Sequence, residues 1–127
     1  MRDHTKLRAF VMPQIRLWRK LADEVVVLIY RLTGRFPKEE IYGLTSQMRR
    51  SAVSVPSNIV EGCACGSQAD CLHFLEIAFS SLRELHYQFG LSMRLGYSAE
   101  HDISGCDSNI LETEKVLGAL IRSIRKN

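Results

Sequence analysis

The stretch VSVPSNIVEG, residues 53–62, decides how this sequence folds. Its apolar residues recur at the spacing of one helix face, yet Pro56 lies in its middle. A proline inside a helix removes one backbone hydrogen bond and crowds the preceding turn, at a cost of roughly 3 kcal/mol. We therefore expect a helix kinked at Pro56, in which Ser57 or Asn58 helps to solvate the freed backbone groups.

Working outward from this stretch, the sequence predicts three further amphipathic helices separated by short breakers. The four predicted helices cover 13–32, a segment that starts at residue 44 or 45 and ends near Gly62, 68–95 and 99–125. Ser67 is placed to cap the third helix, and Gly96 to end it. Four long helices with short connections predict an all-α, up-down-up-down four-helix bundle. The 127 residues form one domain, 1–127, with 1–12 as a flexible or peripheral N-terminal segment.

Two of the predicted helices are apolar on more than one side. The first is apolar almost all round from Val25 to Tyr30. In the third helix, Phe74, Ile77 and Leu91 lie off the main apolar stripe, which comprises Leu72, Leu75, Ala78, Phe79, Leu82, Leu85, Phe89 and Met93. A single bundle of this size covers one stripe on each helix. The second apolar faces therefore predict self-association.

Charge is distributed unevenly along the chain. The net charge is +3, but residues 1–50 hold eleven basic and five acidic residues, whereas residues 51–127 hold six and nine. A basic half fits nucleic acid or an acidic partner, and also a solvated surface. No signal-peptide core is visible, and the longest apolar run, residues 25–30, is far too short to span a membrane. We expect a cytoplasmic protein without membrane contact.

The segment FPKEEIYGLTSQMRRSAVSVPSNIVEG, residues 36–62, resembles the signature of the bacterial four-helix bundle proteins. These include the proteins encoded in intervening sequences of 23S ribosomal RNA genes. The resemblance continues through FLEIAFSSLREL (74–85), LGY (95–97) and LGALIRSI (117–124). The accessory proteins of diversity-generating retroelements, which bind nucleic acid and work with a reverse transcriptase, are more distant relatives.

The resemblance implies a bundle that assembles as a ring-like homopentamer, and it assigns no biochemical activity. It also marks the kink and signature residues of the second helix: Ser54, Pro56, Asn58, Glu61 and Gly62. The chain departs from the family pattern where Cys63-Ala64-Cys65 replaces an arginine and where His73 replaces a basic residue.

The N-terminal half supplies the candidate nucleic-acid contacts. Basic side chains neutralise phosphates, and the candidates are Arg16, Arg19, Lys20, Arg31, Arg35, Lys38, Arg49 and Arg50. A ring repeats such a patch on every subunit, so phosphate contacts add up. Trp18, Phe36 and Tyr42 are candidates for stacking on bases, although Trp18 also fits a core position.

Two groups of these residues have alternative interpretations. Arg49 is also placed to form an ion pair with Glu39, Glu40 or a carboxylate of a neighbouring subunit. The polar residues Ser54, Asn58 and Glu61 either satisfy the kinked backbone, pair across an interface or form a polar binding site.

The sequence contains no set of residues that predicts catalysis, a cofactor or a metal. None of the common nucleotide, hydrolase or metalloprotease motifs occurs, and the spacing of Cys63, Cys65, Cys71 and His73 is not that of a zinc ribbon. Three hypotheses remain. The first is a homo-oligomeric module that binds RNA or acts as a scaffold. The second is an adaptor for a protein partner such as a polymerase-like enzyme. The third is a metal- or thiol-based enzyme centred on the cysteines.

Overall fold

A computed structural model of the chain describes residues 15–98 and 100–126, with side chains described for 16–98 and 105–126. The described residues contain no strand and four α-helices: α1 (Ile15–Thr33), α2 (Leu44–Ala64), α3 (Gln68–Arg94) and α4 (Glu100–Lys126). A 3-10 turn, Lys38–Glu40, lies between α1 and α2. This architecture confirms the all-α class. The predicted segment 1–12 and the predicted helix starts at residues 13 and 99 lie outside the described residues. No helix in the described part of the chain is long and apolar enough to cross a membrane.

Each helix packs against two neighbours. α1 packs against α2 and α4, and α3 packs against the same two helices. Because the connections are short, helices that follow one another in the chain run antiparallel. The α1–α2 and α3–α4 connections therefore lie at one end of the bundle, which we call the turn end. The α2–α3 connection lies at the opposite end.

The core runs along the centre of the four helices. Its fully buried larger side chains are Val25, Ile29, Met48, Val55, Ile59, Leu75, Leu82, Leu85, Phe89, Ile110, Leu117 and Ile124. The main stripe predicted for α3 supplies Leu75, Leu82, Leu85 and Phe89, which confirms the orientation of this helix. Met93 was predicted in the α3 stripe but is 37% exposed, because it lies in the last turn at the end of the bundle.

Local signals set the ends of α3 as predicted. The Ser67 side chain accepts a hydrogen bond from the Asp70 backbone N–H at 3.1 Å, which caps the N-terminus. At the C-terminus, Gly96 has a φ of +77°. The Gly96 N–H donates to the Met93 carbonyl and the Tyr97 N–H to the Ser92 carbonyl, both at 3.0 Å. This is a Schellman motif, which requires the left-handed conformation that glycine adopts without strain.

Polar contacts join α3 to α4 outside the core. His86 lies between two carboxylates of α4, with Nδ1 3.0 Å from Glu114 Oε1 and Nε2 3.6 Å from Asp107 Oδ1. Towards the opposite end, the Arg125 guanidinium donates to Glu76 Oε1 at 3.0 Å. These contacts, together with the core, hold α3 against α4.

Candidate nucleic-acid interface

The eight predicted basic residues fall into two groups at opposite ends of the bundle. Arg16, Arg19 and Lys20 begin α1 at the opposite end, whereas the other five lie at the turn end: Arg31, Arg35, Lys38, Arg49 and Arg50. The backbones of Arg19 and Arg31 are about 18 Å apart along the helix axis, at about 1.5 Å of rise per residue. The eight residues therefore do not form one continuous patch, and the turn end carries the larger group.

The Arg49 side chain contacts the C-terminal turn of α1. Its Nε donates to Thr33 Oγ1 at 2.8 Å, and its Nη2 donates to the Tyr30 carbonyl at 3.3 Å. The guanidinium carbon also lies 4.5 Å from the centroid of the Tyr30 ring. The Tyr30 carbonyl, which also accepts a hydrogen bond from the Gly34 N–H at 3.1 Å, lies in the last turn of α1, where the helix dipole favours a nearby cation. Arg49 supplies this cation, and it does not form the ion pair with Glu39 or Glu40 that the sequence left open.

Arg50, the neighbour of Arg49, has the opposite environment. It is exposed and makes no ion pair with the described residues. It borders a surface groove of about 460 Å³ between α1 and α2, lined by Tyr30, Ile41, Thr45, Ser46, Arg49, Arg50 and Val53. We call this groove, together with the exposed Arg31, Arg35, Lys38 and Tyr42 at the same end, the turn surface.

The structure separates the three aromatic residues that were candidates for stacking. Trp18 is 4% exposed and belongs to the core, as its helical position also indicated. The prediction that Phe36 stacks on bases is wrong, because its side chain is 7% exposed and packs against Tyr97 with ring centroids 5.4 Å apart. Tyr42 is 94% exposed, so its ring is open to a ligand on both faces.

Glu40 joins the two connections at the turn end. Its Oε1 accepts a hydrogen bond from the Leu44 N–H at 3.2 Å, which caps α2, and its Oε2 accepts one from the Tyr97 hydroxyl at 2.9 Å. The hydrogen bond and the negative charge of Glu40 raise the pKa of the Tyr97 phenol. Gly43 makes room for the carboxylate, since a Cβ there would lie 2.6 Å from Oε1. The hydrogen bond between Glu40 and Tyr97 was not predicted from the sequence, although the motif LGY contains Tyr97.

The polar residues beside Pro56 face α3. Asn58 Nδ2 donates to the Ser54 carbonyl at 2.8 Å and lies 3.0 Å from Ser54 Oγ. Ser54 Oγ in turn lies 2.8 Å from Ser81 Oγ on α3. Ser54 and Asn58 thus satisfy backbone and interhelical hydrogen bonds within the chain, which favours their structural interpretation. α2 continues from Leu44 to Ala64 around Pro56.

Glu61 and Gly62 follow at the end of α2. Glu61 is exposed, whereas Gly62 is buried. A Cβ at Gly62 would lie 3.4 Å from both the Cys71 carbonyl oxygen and Phe74 Cβ. At Gly62, therefore, the backbone of α2 lies close to the start of α3.

The four cysteines are free thiols, and two of them are difficult to ionise. Burial raises the pKa of Cys63, and burial together with contacts to Cys65 raises the pKa of Cys71 to about 12. In the described part of the chain, no group of three or more His, Cys, Asp or Glu side chains could hold a metal ion.

Comparison with known proteins places the chain in a family. The family model described as 23S rRNA-intervening sequence protein matches residues 14–119. The chain belongs to this family. Its fold is similar to that of a protein with unknown function from the S23 ribosomal protein family of Bacteroides thetaiotaomicron, with a TM-score of 0.78 and 24% identity over 86% of this chain and 98% of that chain. No curated protein matches the chain.

The signature segment of this 23S rRNA-intervening sequence family member, residues 36–62, does two structural tasks. Phe36, Glu40 and Gly43 close the turn end, while Ser54 and Asn58 join α2 to α3. The exposed side chains of the segment are Lys38, Glu39, Ile41, Tyr42, Gln47, Arg50, Val53, Ser57, Val60 and Glu61. Those on the turn surface are the candidates for contact with another molecule.

Proposed function

We propose that this family member is a non-enzymatic, homo-oligomeric helical module that binds RNA through the turn surface. The observation that carries the proposal is that the turn surface exposes both an aromatic ring, Tyr42, which is 94% exposed, and a cation, Arg50, which forms no ion pair with the described residues. Aromatic rings that stack on bases and cations that neutralise phosphates are the two components of sequence-tolerant binding to unpaired strands. We therefore expect single-stranded segments of RNA to be the preferred ligand.

The charge of the turn surface supports an anionic ligand. Arg31, Arg35, Lys38 and Arg50 are exposed there, and Glu39 is the exposed acidic residue of the same connection. Glu40 is partly buried and accepts hydrogen bonds from Leu44 and Tyr97. Each neutralised phosphate of a single strand contributes a slope of about −0.7 to the dependence of log affinity on log salt. Three contacts per subunit would give a slope of about −2, and several subunits on one RNA would steepen it.

Exposed apolar side chains support self-assembly. One set, Val27, Val53 and Val60, is 40–42% exposed on α1 and α2, and a second set, Tyr87 and Leu111, is 71% and 46% exposed on α3 and α4. Exposed apolar side chains on both helix pairs of one subunit suit head-to-tail contacts, which form a ring when the rotation between subunits closes. A homopentamer is the ring that the family resemblance implies.

Pro56 contributes to this proposed assembly by allowing α2 to bend. The proline removes the hydrogen bond that the Ala52 carbonyl would accept, which allows the helix to bend at that turn. Its neighbours on the outer face of α2 are the exposed Val53 and Val60. We propose that the bend shapes this face towards an adjacent subunit.

The test measures binding of a fluorescent unpaired oligoribonucleotide and a matched RNA duplex at several salt concentrations. We compare the wild type with Arg50→Glu and with Arg83→Glu, which makes the same charge change at an exposed arginine of α3. Light scattering first establishes that all three proteins have the same assembly. We expect Arg50→Glu to weaken binding roughly tenfold or more, equivalent to about 1.4 kcal/mol, and Arg83→Glu to change it little.

The results also separate RNA binding from the adaptor alternative. The apolar part of the groove, Ile41 and Val53, is the observation that favours a protein partner. If the intact oligomer binds neither RNA at low salt, direct RNA binding is wrong and the adaptor becomes the leading function. If Arg83→Glu and Arg50→Glu weaken binding equally, the assignment to the turn surface is wrong.

A further inference from the structure

We propose that Cys65 and Cys71 form a thiol–disulfide exchange site at the α2–α3 connection, which a small-molecule disulfide such as glutathione disulfide oxidises. Cys65 is the residue that ends α2, and Cys71 lies in the first turns of α3. The site is at the end of the bundle opposite the turn surface, so it does not depend on RNA binding.

One carbonyl oxygen brings the two cysteines together. The Cys65 sulfur lies 2.7 Å from the Gly62 carbonyl oxygen and 3.2 Å from the Ser67 carbonyl oxygen, and the Ser67 carbonyl also accepts a hydrogen bond from the Cys71 backbone N–H at 3.0 Å. The Cys65 sulfur therefore lies within about 6 Å of the Cys71 backbone. The backbones of α2 and α3 are close here, since a Cβ at Gly62 would be in contact with the Cys71 carbonyl oxygen at 3.4 Å. Cys65 is also among the causes that raise the pKa of Cys71, after burial.

The thiols of Cys65 and Cys71 differ in solvent exposure, which gives them different roles in the exchange. Cys65 is half-buried, whereas Cys71 is 2% exposed. A small disulfide in solution therefore reaches Cys65 first, and Cys71 is positioned behind it. Cys63 is also half-buried, but it belongs to the last turn of α2, and Cys106 is buried on α4.

The exchange proceeds in two balanced steps. The Cys65 thiol loses its proton to solvent and attacks one sulfur of the small disulfide, forming a mixed disulfide and releasing one thiolate, which takes up a proton. The Cys71 thiol then loses its proton and attacks Cys65 Sγ, forming the protein disulfide and releasing the second small thiol. Two protein thiols are oxidised and one small disulfide is reduced to two thiols. Because burial disfavours the Cys71 thiolate, we expect the second step to be the slower one.

Mass spectrometry tests the pairing directly. The full-length protein is incubated with glutathione disulfide, quenched with N-ethylmaleimide and digested with trypsin. No lysine or arginine occurs between Arg50 and Arg83, so Cys63, Cys65 and Cys71 share one peptide, whereas Cys106 lies in another. We expect the peptide 51–83 to be lighter by two hydrogens, because two of its three cysteines form a disulfide and only the third is alkylated by N-ethylmaleimide. We expect the Cys106 peptide to remain reduced.

Four variants identify the partners. Cys63→Ser and Cys106→Ser should form the disulfide as the wild type does, and Cys65→Ser should not form it. Cys71→Ala should stop at the mixed disulfide, with one glutathione on the peptide 51–83. Circular dichroism establishes that each variant is folded. The proposal is wrong if the wild-type peptide keeps all its hydrogens, if Cys65→Ser still forms the disulfide, if Cys63→Ser abolishes it, or if Cys106 is linked to the peptide.

Discussion

Replacing Arg49 by alanine should destabilise the fold, whereas the same replacement of its neighbour Arg50 should not. The Arg49 side chain donates to Thr33 Oγ1 at 2.8 Å and to the Tyr30 carbonyl at 3.3 Å, and it stacks 4.5 Å from the Tyr30 ring centroid. These contacts join α2 to the last turn of α1. Arg50 makes no such contact and is exposed.

The magnitude follows from the individual contacts. The shorter hydrogen bond comes from a charged donor and contributes about 1.5 kcal/mol. The cation–π contact is partly exposed and contributes about 0.5 kcal/mol, while the longer bond at 3.3 Å adds little. We expect Arg49→Ala to lower the free energy of unfolding by about 2 kcal/mol, or the melting temperature by roughly 6–10 °C for a chain of this size. Arg50→Ala should change the free energy by less than about 0.5 kcal/mol.

Thermal and urea unfolding, followed by circular dichroism, measure both variants. Every sample has the same protein concentration, because the self-association that we propose would make the melting temperature depend on it. Arg49→Lys serves as a control that keeps the charge but loses the planar fork, and it should be intermediate. Equal stability of Arg49→Ala and Arg50→Ala would refute the reasoning and return Arg49 to the set of residues available for RNA.

Three further substitutions test contacts that hold the helices together. Tyr97→Phe removes the hydrogen bond to Glu40 and should lower the free energy of unfolding in urea unfolding at neutral pH. Because the folded-state pKa of Tyr97 is raised above its ordinary value of 10.0, its contribution is complete below pH 10 and is lost as the pH rises through the folded pKa. The difference between wild type and Tyr97→Phe should therefore shrink above pH 10, and a constant difference would contradict the contact. Asn58→Ala removes the bonds to Ser54 and should cost about 1 kcal/mol in the same assay, whereas no loss would show that water replaces the amide. Gly62→Ala should be neutral or stabilising by up to about 1 kcal/mol, since its Cβ would meet α3 at an ordinary contact distance of 3.4 Å and alanine favours helix. Gly62→Leu is its control and should be destabilising, and a large loss in Gly62→Ala would mean that the two backbones cannot separate at all.

The predicted contacts at the turn surface depend on how the helices face one another. Sequence position placed Phe36 and Tyr42 on equal terms as stacking candidates, but packing against Tyr97 buries the first and leaves the second 94% exposed. Arg49 and Arg50 are adjacent in sequence, and a helix turns by about 100° between them. One side chain therefore meets α1, and the other points to solvent.

Features that arise from local interactions could be predicted from the sequence. Apolar periodicity placed the four helices, Ser67 capped α3, and Gly96 ended it, because these signals act between residues a few positions apart. Which polar side chains remain exposed depends on tertiary contacts. The Glu40–Tyr97 hydrogen bond joins residues 57 positions apart, and Ser54 meets Ser81 across 27. Such contacts depend on the rotation and relative height of packed helices, which follow from the fit of the whole core and not from the period of any one helix.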